Sequence, residues 1–328
     1  MNALHGQPGF VDLQVNGFLG INFSAPGLSV DDVRRVTVEL ISRGTAAYCP
    51  TLVTSPIDVI EANLSVLAMS MDEPDLSPHL LGIHLEGPFL AEASKGAHCS
   101  EWLRTPDIDL FKKWQSAAKG RIKMLTLAPE LPNAEQLIRH AADQGVVISL
   151  GHHMADDASI ARAVNAGARS STHLGNGITN ELPRHPNPIW SQLCRDELTT
   201  MLITDSHHIP PEFIATVLKA KGAERVAVVS DSAPIAGLPP GDYDYFGASV
   251  ILESSGRIKL KGGSSLAGSS ATMLQCMNHL ASLGLLSEDN LWRAGRENAL
   301  SLLGKSPEEV LPAKPALCYR DRQFEFVT

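Results

Sequence analysis

The stretch GFVDLQVNG, residues 9–17, has the pattern of a buried β-strand with one polar face. Apolar side chains alternate along it with Asp12, Gln14 and Asn16, which is the period-2 spacing of a strand. Such a polar row either faces solvent or lines the interior of a closed sheet. The remainder of the chain decides between these two arrangements.

Seven further segments predict strands, and amphipathic stretches that begin with Ser, Asp, Asn or Pro and end on Gly lie between several of them. This alternation indicates a parallel sheet, and eight strands favour an α/β fold of the (β/α)8 TIM-like barrel type over an open sheet. No GxGxxG or GxxxxGK[ST] motif follows the first strand, which disfavours nucleotide binding. The predicted strands are 9–17, 46–54, 80–88, 122–130, 146–153, 169–176, 199–208 and 225–233.

The composition limits the classes of partner. The 328 residues carry a net charge of −9, which disfavours nucleic acid and anionic membranes, and 44% are hydrophobic, enough for a large core. The five cysteines have no CxxC spacing, and no run of about 18 apolar residues or signal-peptide pattern occurs. We therefore expect a cytoplasmic protein, and the negative charge does not exclude a small anionic substrate held by a local Arg or His.

Polar residues that can bind a metal follow several of the predicted strands. Six of the twelve histidines lie at the ends of four strands, together with Glu86, Asp205 and Asp231. Because the carboxyl ends of barrel strands meet at one face, these side chains are expected to converge. A structural role is the usual explanation for any one of these histidines, but the set favours a hydrolytic metal centre.

Several segments together resemble a known family. GFVDLQVNG, HLEGPFLAEASKGAH, SLGHHMADDA, THLGNG, TDSHHI, VSDSAPIAG and LAGSS occur in an order and spacing similar to those of the N-acetylglucosamine-6-phosphate deacetylase family. That family belongs to the amidohydrolase superfamily of metal-dependent barrels. The resemblance runs from about Gly9 to Gly304, nearly the whole chain.

The resemblance implies one divalent metal ion per subunit, with Zn²⁺ as the expected ion. Its ligands would be Glu86, His152 and His173, the catalytic acid and base would be Asp231, and His98 would stabilise the oxyanion. The adjacent histidines of GHH leave His152 and His153 open from spacing alone, and only the motif position favours His152.

The same resemblance implies a site for an amino-sugar phosphate. Arg184 and His208 match the positions that hold the phosphate, which the family contributes across a dimer interface, so a homodimer is expected. For His207 and His208, as for His152 and His153, spacing alone leaves open which of the two side chains faces the site. The remaining substrate-binding positions by resemblance are Ala97, His98, Asn176, Gly177, Leu266, Ala267 and Gly268.

The implied reaction is hydrolysis of the N-acetyl group of N-acetylglucosamine 6-phosphate to glucosamine 6-phosphate and acetate. Two alternatives stay open: a deacetylase of another N-acetyl-hexosamine phosphate, such as N-acetylgalactosamine 6-phosphate, and a barrel that binds sugar phosphate without catalysis. Glu130 ends the fourth strand, where some amidohydrolases have a metal-bridging Lys, and we interpret it as a loop or helix-capping residue.

The chain departs from the family in its outer parts and in its first strand. We predict a single catalytic barrel domain over residues 1–328, with an inserted hairpin at about 246–263 and C-terminal helices at about 270–304. The small β-sandwich of the family is largely missing, and the tail could provide one strand packed with residues 1–7. In many amidohydrolases the first strand ends in a metal-binding His-x-His, where this chain has Gln14 and Asn16. Amides are weak ligands, so a centre with one metal is expected, and the polar row is predicted to line the barrel mouth.

Overall fold

Eight parallel strands pair with one another in chain order in the computed structural model, which describes residues 7–245, 247–263, 265–312 and 315–327. The strands form a nearly closed sheet with helices on its outside, so the prediction of a (β/α)8 barrel is confirmed. The barrel strands are β1 (Phe10–Val15), β2 (Thr45–Val53), β3 (Ile83–Glu86), β4 (Ile122–Leu127), β5 (Val147–Leu150), β6 (Ala168–Ser171), β7 (Thr199–Ile203) and β8 (Val226–Val229).

The barrel is closed between β1 and β8 mainly by side chains and loop backbone. A single parallel bridge joins Val15 to Ser232, and the Asn16 amide nitrogen donates to the Ser232 carbonyl at 2.9 Å. Deeper in the seam, the Asp12 carboxylate accepts hydrogen bonds from both the hydroxyl and the backbone N–H of Ser230. These hydrogen bonds therefore hold β1 against β8, close to the residues that follow the two strands.

Helices follow most of the barrel strands and pack against the sheet with their apolar faces. Ser29 and Asp32 form a capping box at the start of the first helix, and Asp156 caps the fifth by accepting from the Ser159 amide. The helices are α1 (Val30–Ser42), α2 (Ile57–Ser70), α3 (Ile108–Ala117), α4 (Ala134–Ala142), α5 (Asp157–Ala166), α6 (Pro188–Leu193), α7 (Pro211–Lys221), α8 (Met273–Ser282), α9 (Glu288–Trp292) and α10 (Asn298–Leu302), with one π-helical stretch at Arg293–Glu297. None of the described helices combines the length and the apolar character needed to cross a membrane.

A three-stranded antiparallel sheet, here called the flap, is inserted after β8. It consists of β9 (Gly241–Tyr245), β10 (Ala248–Leu252) and β11 (Ile258–Leu260). The sequence predicted a two-stranded hairpin over 246–263, and the structure adds β9 in front of it. That strand reads GDYDY, with its two aspartates exposed, so it lacks the apolar run by which buried strands are recognised. Phe246 and Ser264 lie outside the described residues.

The C-terminal tail forms a hairpin rather than the single strand suggested by the sequence. Its strands are β12 (Leu317–Arg320) and β13 (Gln323–Phe326), and Gln7 forms an antiparallel bridge with Leu317. Phe324 packs edge-on against Phe10 of the barrel, with ring centroids 5.0 Å apart, which holds the hairpin on the molecule. Of the predicted segment 1–7, only Gln7 lies within the described residues.

Candidate active site

Glu86, His152 and His173 meet at the carboxyl face of the barrel. Glu86 ends β3, and the two histidines follow β5 and β6. The Nε2 atoms of His152 and His173 both lie 3.1 Å from Glu86 Oε1, and the three side chains are buried. One ligand atom from each residue lies within 4.8 Å of the others. The structure thus brings together three residues that the resemblance implied as metal ligands.

The backbone turns sharply where these side chains leave the strands. His152, His173 and Asp231 have φ angles of 52°, 27° and 51°, in the left-handed region that residues other than glycine rarely adopt. Such conformations cost about 1–3 kcal/mol each and persist where the surrounding structure holds them, commonly at functional sites. The turn after β5 directs His152 towards Glu86, while the His153 side chain accepts from the Ala155 amide instead.

The His152 ring is held in an orientation that suits metal binding. Its Nδ1 donates to the Ser94 carbonyl at 3.0 Å, which directs Nε2 towards Glu86. Gly177 lies so close to the ring that a side chain there would collide with it, and Gly96 lies at contact distance from the same ring. Two imidazoles and one carboxylate, buried and oriented in this way, fit a divalent ion such as zinc.

Charge pairing dominates the electrostatics of the cluster. Burial alone would raise the pKa of Glu86, but the hydrogen bonds and charges of His152 and His173 hold it well below its usual value. Burial likewise opposes protonation of His173, yet its hydrogen bond to Glu86 raises its pKa. Glu86 is therefore an ionised carboxylate, as a metal ligand must be.

Asp231 follows β8 and lies beside the cluster. Its Oδ1 accepts from Gln14 Nε2 at 3.0 Å and from Asn16 Nδ2 at 2.8 Å. Burial, reinforced by the negative charge of Glu86, raises the pKa of Asp231 to about 6. The polar row of the first strand is thus inside the molecule, with Gln14 fully buried and Asn16 3% exposed.

His98 packs edge-on against His152. The two ring centroids are 4.6 Å apart, and His98 Nδ1 is 2.8 Å from the hydroxyl of Thr54. Burial and the neighbouring His152 lower the pKa of His98 to about 3, so the ring is neutral. Thr54 was not singled out from the sequence, although its place at the end of the predicted strand 46–54 was a signal that could have found it.

A cavity of about 530 Å³ opens above these groups. It is lined by Glu86, His98, His152, His173 and Asp231, and most of the predicted substrate-binding residues line it as well. Those residues are Ala97, Asn176, Gly177, His208, Leu266, Ala267 and Gly268. Arg184 is exposed and does not line the cavity of its own chain.

The two neighbouring histidines that follow β7 make different contacts. His208 lines the cavity of its own chain, whereas the resemblance implied a contribution across a dimer interface, and its Nδ1 donates to Asp205 Oδ2 at 2.7 Å. Burial of Asp205 would raise its pKa, but this hydrogen bond holds the pKa below its usual value. His207 instead contacts the Ser255 carbonyl of the flap at 3.1 Å.

The same flap turn brings Arg257 to the cavity lining. The turn is held against the barrel by His207 and by the Ser270 hydroxyl, which donates to the Gly256 carbonyl at 2.5 Å. No motif marked Arg257 in the sequence, because an arginine in a hairpin turn is ordinarily solvated.

Two strand-end residues have structural surroundings. His84 Nδ1 donates to the Leu13 carbonyl at 3.0 Å and its Nε2 is 2.8 Å from the Thr126 hydroxyl, so both nitrogens are satisfied. Glu130 Oε1 accepts from the Met154 amide at 2.6 Å, in agreement with its interpretation as a loop residue.

Comparison with known proteins places this geometry in a family. No protein-family model matches the chain. It is 34% identical over 300 residues to the N-acetylglucosamine-6-phosphate deacetylase of Bacillus subtilis, covering 90% of this chain and 75% of that protein. It is 31% identical over 304 residues to the N-acetylgalactosamine-6-phosphate deacetylase of a Shewanella species, covering 92% and 73%.

A solved structure is similar over almost the whole chain. The N-acetyl-D-glucosamine-6-phosphate deacetylase of Mycobacterium smegmatis superimposes with a TM-score of 0.88 at 28% identity, covering 99% of this chain and 85% of that one. Sequence identity and barrel geometry therefore agree, and the chain belongs to the N-acetylglucosamine-6-phosphate deacetylase family of metal-dependent hydrolases.

Proposed function

We propose that this chain hydrolyses the N-acetyl group of N-acetylglucosamine 6-phosphate, releasing acetate and glucosamine 6-phosphate. The observation that carries the proposal is the convergence of the Glu86, His152 and His173 cluster with Asp231 and His98 on one cavity. A barrel that only bound sugar phosphate would have no need of a base beside metal ligands. Relatives named for this reaction support the choice of substrate.

We infer that Glu86, His152 and His173 hold one divalent ion per subunit, with Zn²⁺ as its proposed identity. The donor set of two imidazoles and one carboxylate supports this choice. When bound, the ion supplies Lewis acidity, which activates water near neutral pH and polarises a carbonyl. The amides of Gln14 and Asn16 are weak ligands, which supports a single ion.

Asp231 is the proposed general base and acid. Its carboxylate takes a proton from the attacking water, which adds to the acetyl carbonyl carbon. The protonated carboxyl then donates to the sugar nitrogen as the C–N bond breaks, because an unprotonated amine leaves poorly. Burial raises the pKa of Asp231 above its usual value, towards the neutral range in which a group that both accepts and donates a proton works best.

His98 is the proposed stabiliser of the oxyanion. We assign the Thr54 hydroxyl as the donor to Nδ1, which places the one proton of the neutral ring on Nε2. That N–H donates to the acetyl oxygen as negative charge develops on it. Ala97, Asn176 and Gly177 then hold the sugar through backbone and amide groups at the cavity wall.

The sugar phosphate is proposed to bind at the cavity mouth. His208, oriented by Asp205, and Arg257 of the flap provide positive charge from the same chain. Arg184 is proposed to enter the cavity of a partner subunit in a homodimer, which its absence from its own cavity supports. The segment Leu266–Gly268 is proposed to close on the substrate.

We propose the cytoplasm as the setting. All five cysteines are free thiols, as a reducing compartment favours. The partner is the small amino-sugar phosphate, because a net charge of −9 disfavours nucleic acid and anionic membranes.

One experiment tests the reaction and the substrate together. Metal analysis of the purified protein is combined with acetate release from N-acetylglucosamine 6-phosphate, its galactosamine epimer and the unphosphorylated sugars. Fastest release from the first substrate supports the proposal. Preference for the epimer supports the second candidate, which the Shewanella relative favours. Binding without acetate release refutes both, and full turnover by Asp231→Asn refutes the mechanism.

A further inference from the structure

Two amide side chains of the first strand contact the same carboxylate oxygen. Gln14 Nε2 and Asn16 Nδ2 donate to Asp231 Oδ1 at 3.0 and 2.8 Å, although Gln14 and Asp231 are 217 residues apart in the chain. Both donors are buried, so water does not compete with them. Hydrogen bonds to a charged acceptor are about twice as strong as neutral ones.

The two oxygens of Asp231 are therefore not equivalent. Over the described residues, the protein donors to this carboxylate go to Oδ1, and none reaches Oδ2. Asp231 also lines the cavity. The oxygen without a protein donor is the one that a water in the cavity can approach.

A purely structural role explains these amides poorly. Gln14 Oε1 and Asn16 Oδ1 are buried and have no hydrogen-bond partner among the described groups. A buried polar group left unpaired destabilises the folded state, and a half-satisfied polar network is worse than an apolar one of the same shape. Among the described groups, the hydrogen bonds of these two amides are the ones that their nitrogens donate to Asp231.

The strand that carries the amides is itself fastened beside Asp231. The Asn16 amide nitrogen donates to the Ser232 carbonyl at 2.9 Å, and Asp12 accepts from Ser230. Residues on both sides of Asp231 are thus tied to the first strand. The donors and the carboxylate are held in one rigid unit across the barrel seam.

We propose that Gln14 and Asn16 are positioning residues, which hold Oδ1 of Asp231 and so reserve Oδ2 for the proton of the attacking water. The inference rests on the proposed function, because it assigns these residues to the same base. On this proposal the amides orient the base, in addition to occupying the positions at which many amidohydrolases have two metal-binding histidines.

The test removes each donor while keeping the shape of the side chain. Gln14→Met and Asn16→Leu are compared with Asn165→Leu, the same change at an exposed position of α5. We expect kcat for acetate release to fall about 10- to 100-fold in the first two variants, the effect of losing one charge-assisted hydrogen bond. KM should change by less than about threefold, and the control should match the wild type.

The decisive comparison repeats both substitutions in an Asp231→Asn background. If the amides act through the base, neither lowers the residual kcat by more than about twofold once the base is gone. A further loss as large as that in the wild-type background overturns the proposal, because the amides would then act independently of Asp231.

Stability and metal content separate positioning from a structural role. We expect thermal midpoints close to that of the wild type, since each variant loses one hydrogen bond to Asp231 but also removes an unpaired buried oxygen, together with unchanged metal content. Loss of folding or of metal in both variants overturns the proposal. A wild-type chain that releases no acetate overturns the proposed function and this inference together, whereas an active wild type with unimpaired variants overturns the inference alone.

Discussion

Gly177→Ala tests whether His152 is held as the structure shows without altering any proposed metal ligand, and metal content separates this effect from the proposed contact of Gly177 with the sugar. Gly177 has a φ of +59°, and a Cβ added to it would lie 2.7 Å from His152 Nδ1 and 2.9 Å from Cε1. The ring cannot simply move away, because Nδ1 is bonded to the Ser94 carbonyl and Gly96 lies against the ring as well. Either the imidazole or the loop must therefore shift.

The size of the shift follows from the contact distances. Ordinary carbon contacts lie at about 3.5 Å, so the new methyl overlaps the ring by about 0.8 Å. Overpacking of this kind costs about 1–3 kcal/mol, and the left-handed backbone costs an alanine about 1 kcal/mol more. A misplacement near 1 Å in an active site can cost about 100-fold in rate. We therefore expect the free energy of unfolding to fall by about 2–4 kcal/mol and kcat/KM to fall by about 100-fold.

Gly145→Ala provides the matched control. Gly145 has a φ of +74°, and an added Cβ would meet nothing within 4 Å. Urea unfolding, metal content and acetate release are measured for both variants. The control should lose only about 1 kcal/mol and keep full metal and activity. Stoichiometric metal and wild-type kcat/KM in Gly177→Ala would refute the reasoning.

Three further predictions concern the substrate, the metal and pH. Arg257→Gln should raise KM for the phosphorylated sugar about 10-fold or more, because a charge-assisted hydrogen bond is lost, with little effect on KM for the unphosphorylated sugar. Lys259→Gln, in the same flap, should leave both KM values unchanged. Equal KM in the two variants would show that Arg257 is not part of the phosphate site. Chelation of the metal should abolish acetate release and lower the thermal midpoint, and Glu86→Gln should make both measurements insensitive to the chelator; an active, chelated wild type would contradict the metal requirement. Burial raises the pKa of Asp12 to about 7, so the folded state keeps a proton that the unfolded state loses. The free energy of unfolding should therefore fall by up to about 4 kcal/mol as pH rises from about 4 to 7. In Asp12→Asn, the free energy of unfolding should lack this part of its pH dependence, and an identical pH dependence would show that Asp12 is not its source.

The barrel could be predicted because most of its strands are short segments with a continuous or alternating run of apolar residues. All residues of β1, β2, β3 and β8 are buried, and such segments are legible without knowing their partners. The flap strand β9 has alternating exposed positions and two aspartates, so its pairing with β10 depends on a neighbour rather than on its own pattern.

The site could be predicted in part for the same reason. The carboxyl ends of parallel strands converge, so Glu86, His173 and Asp231 could be grouped from their places in the chain. The choice between His152 and His153 could not, because it depends on the left-handed turn at His152, which reverses the alternation of side chains expected for a continuing strand.

By itself, the sequence determined the eight-stranded barrel, the residue types at its carboxyl face and the resemblance to a deacetylase family, since these depend on local pattern and motif. Only the tertiary structure decided that Gln14 and Asn16 bond to Asp231, that Arg257 reaches the cavity and that Arg184 does not. Each of these depends on how distant segments are brought together when the barrel closes and the flap docks. Hydrogen bonds across a seam are made between residues whose separation in the chain carries no local signal.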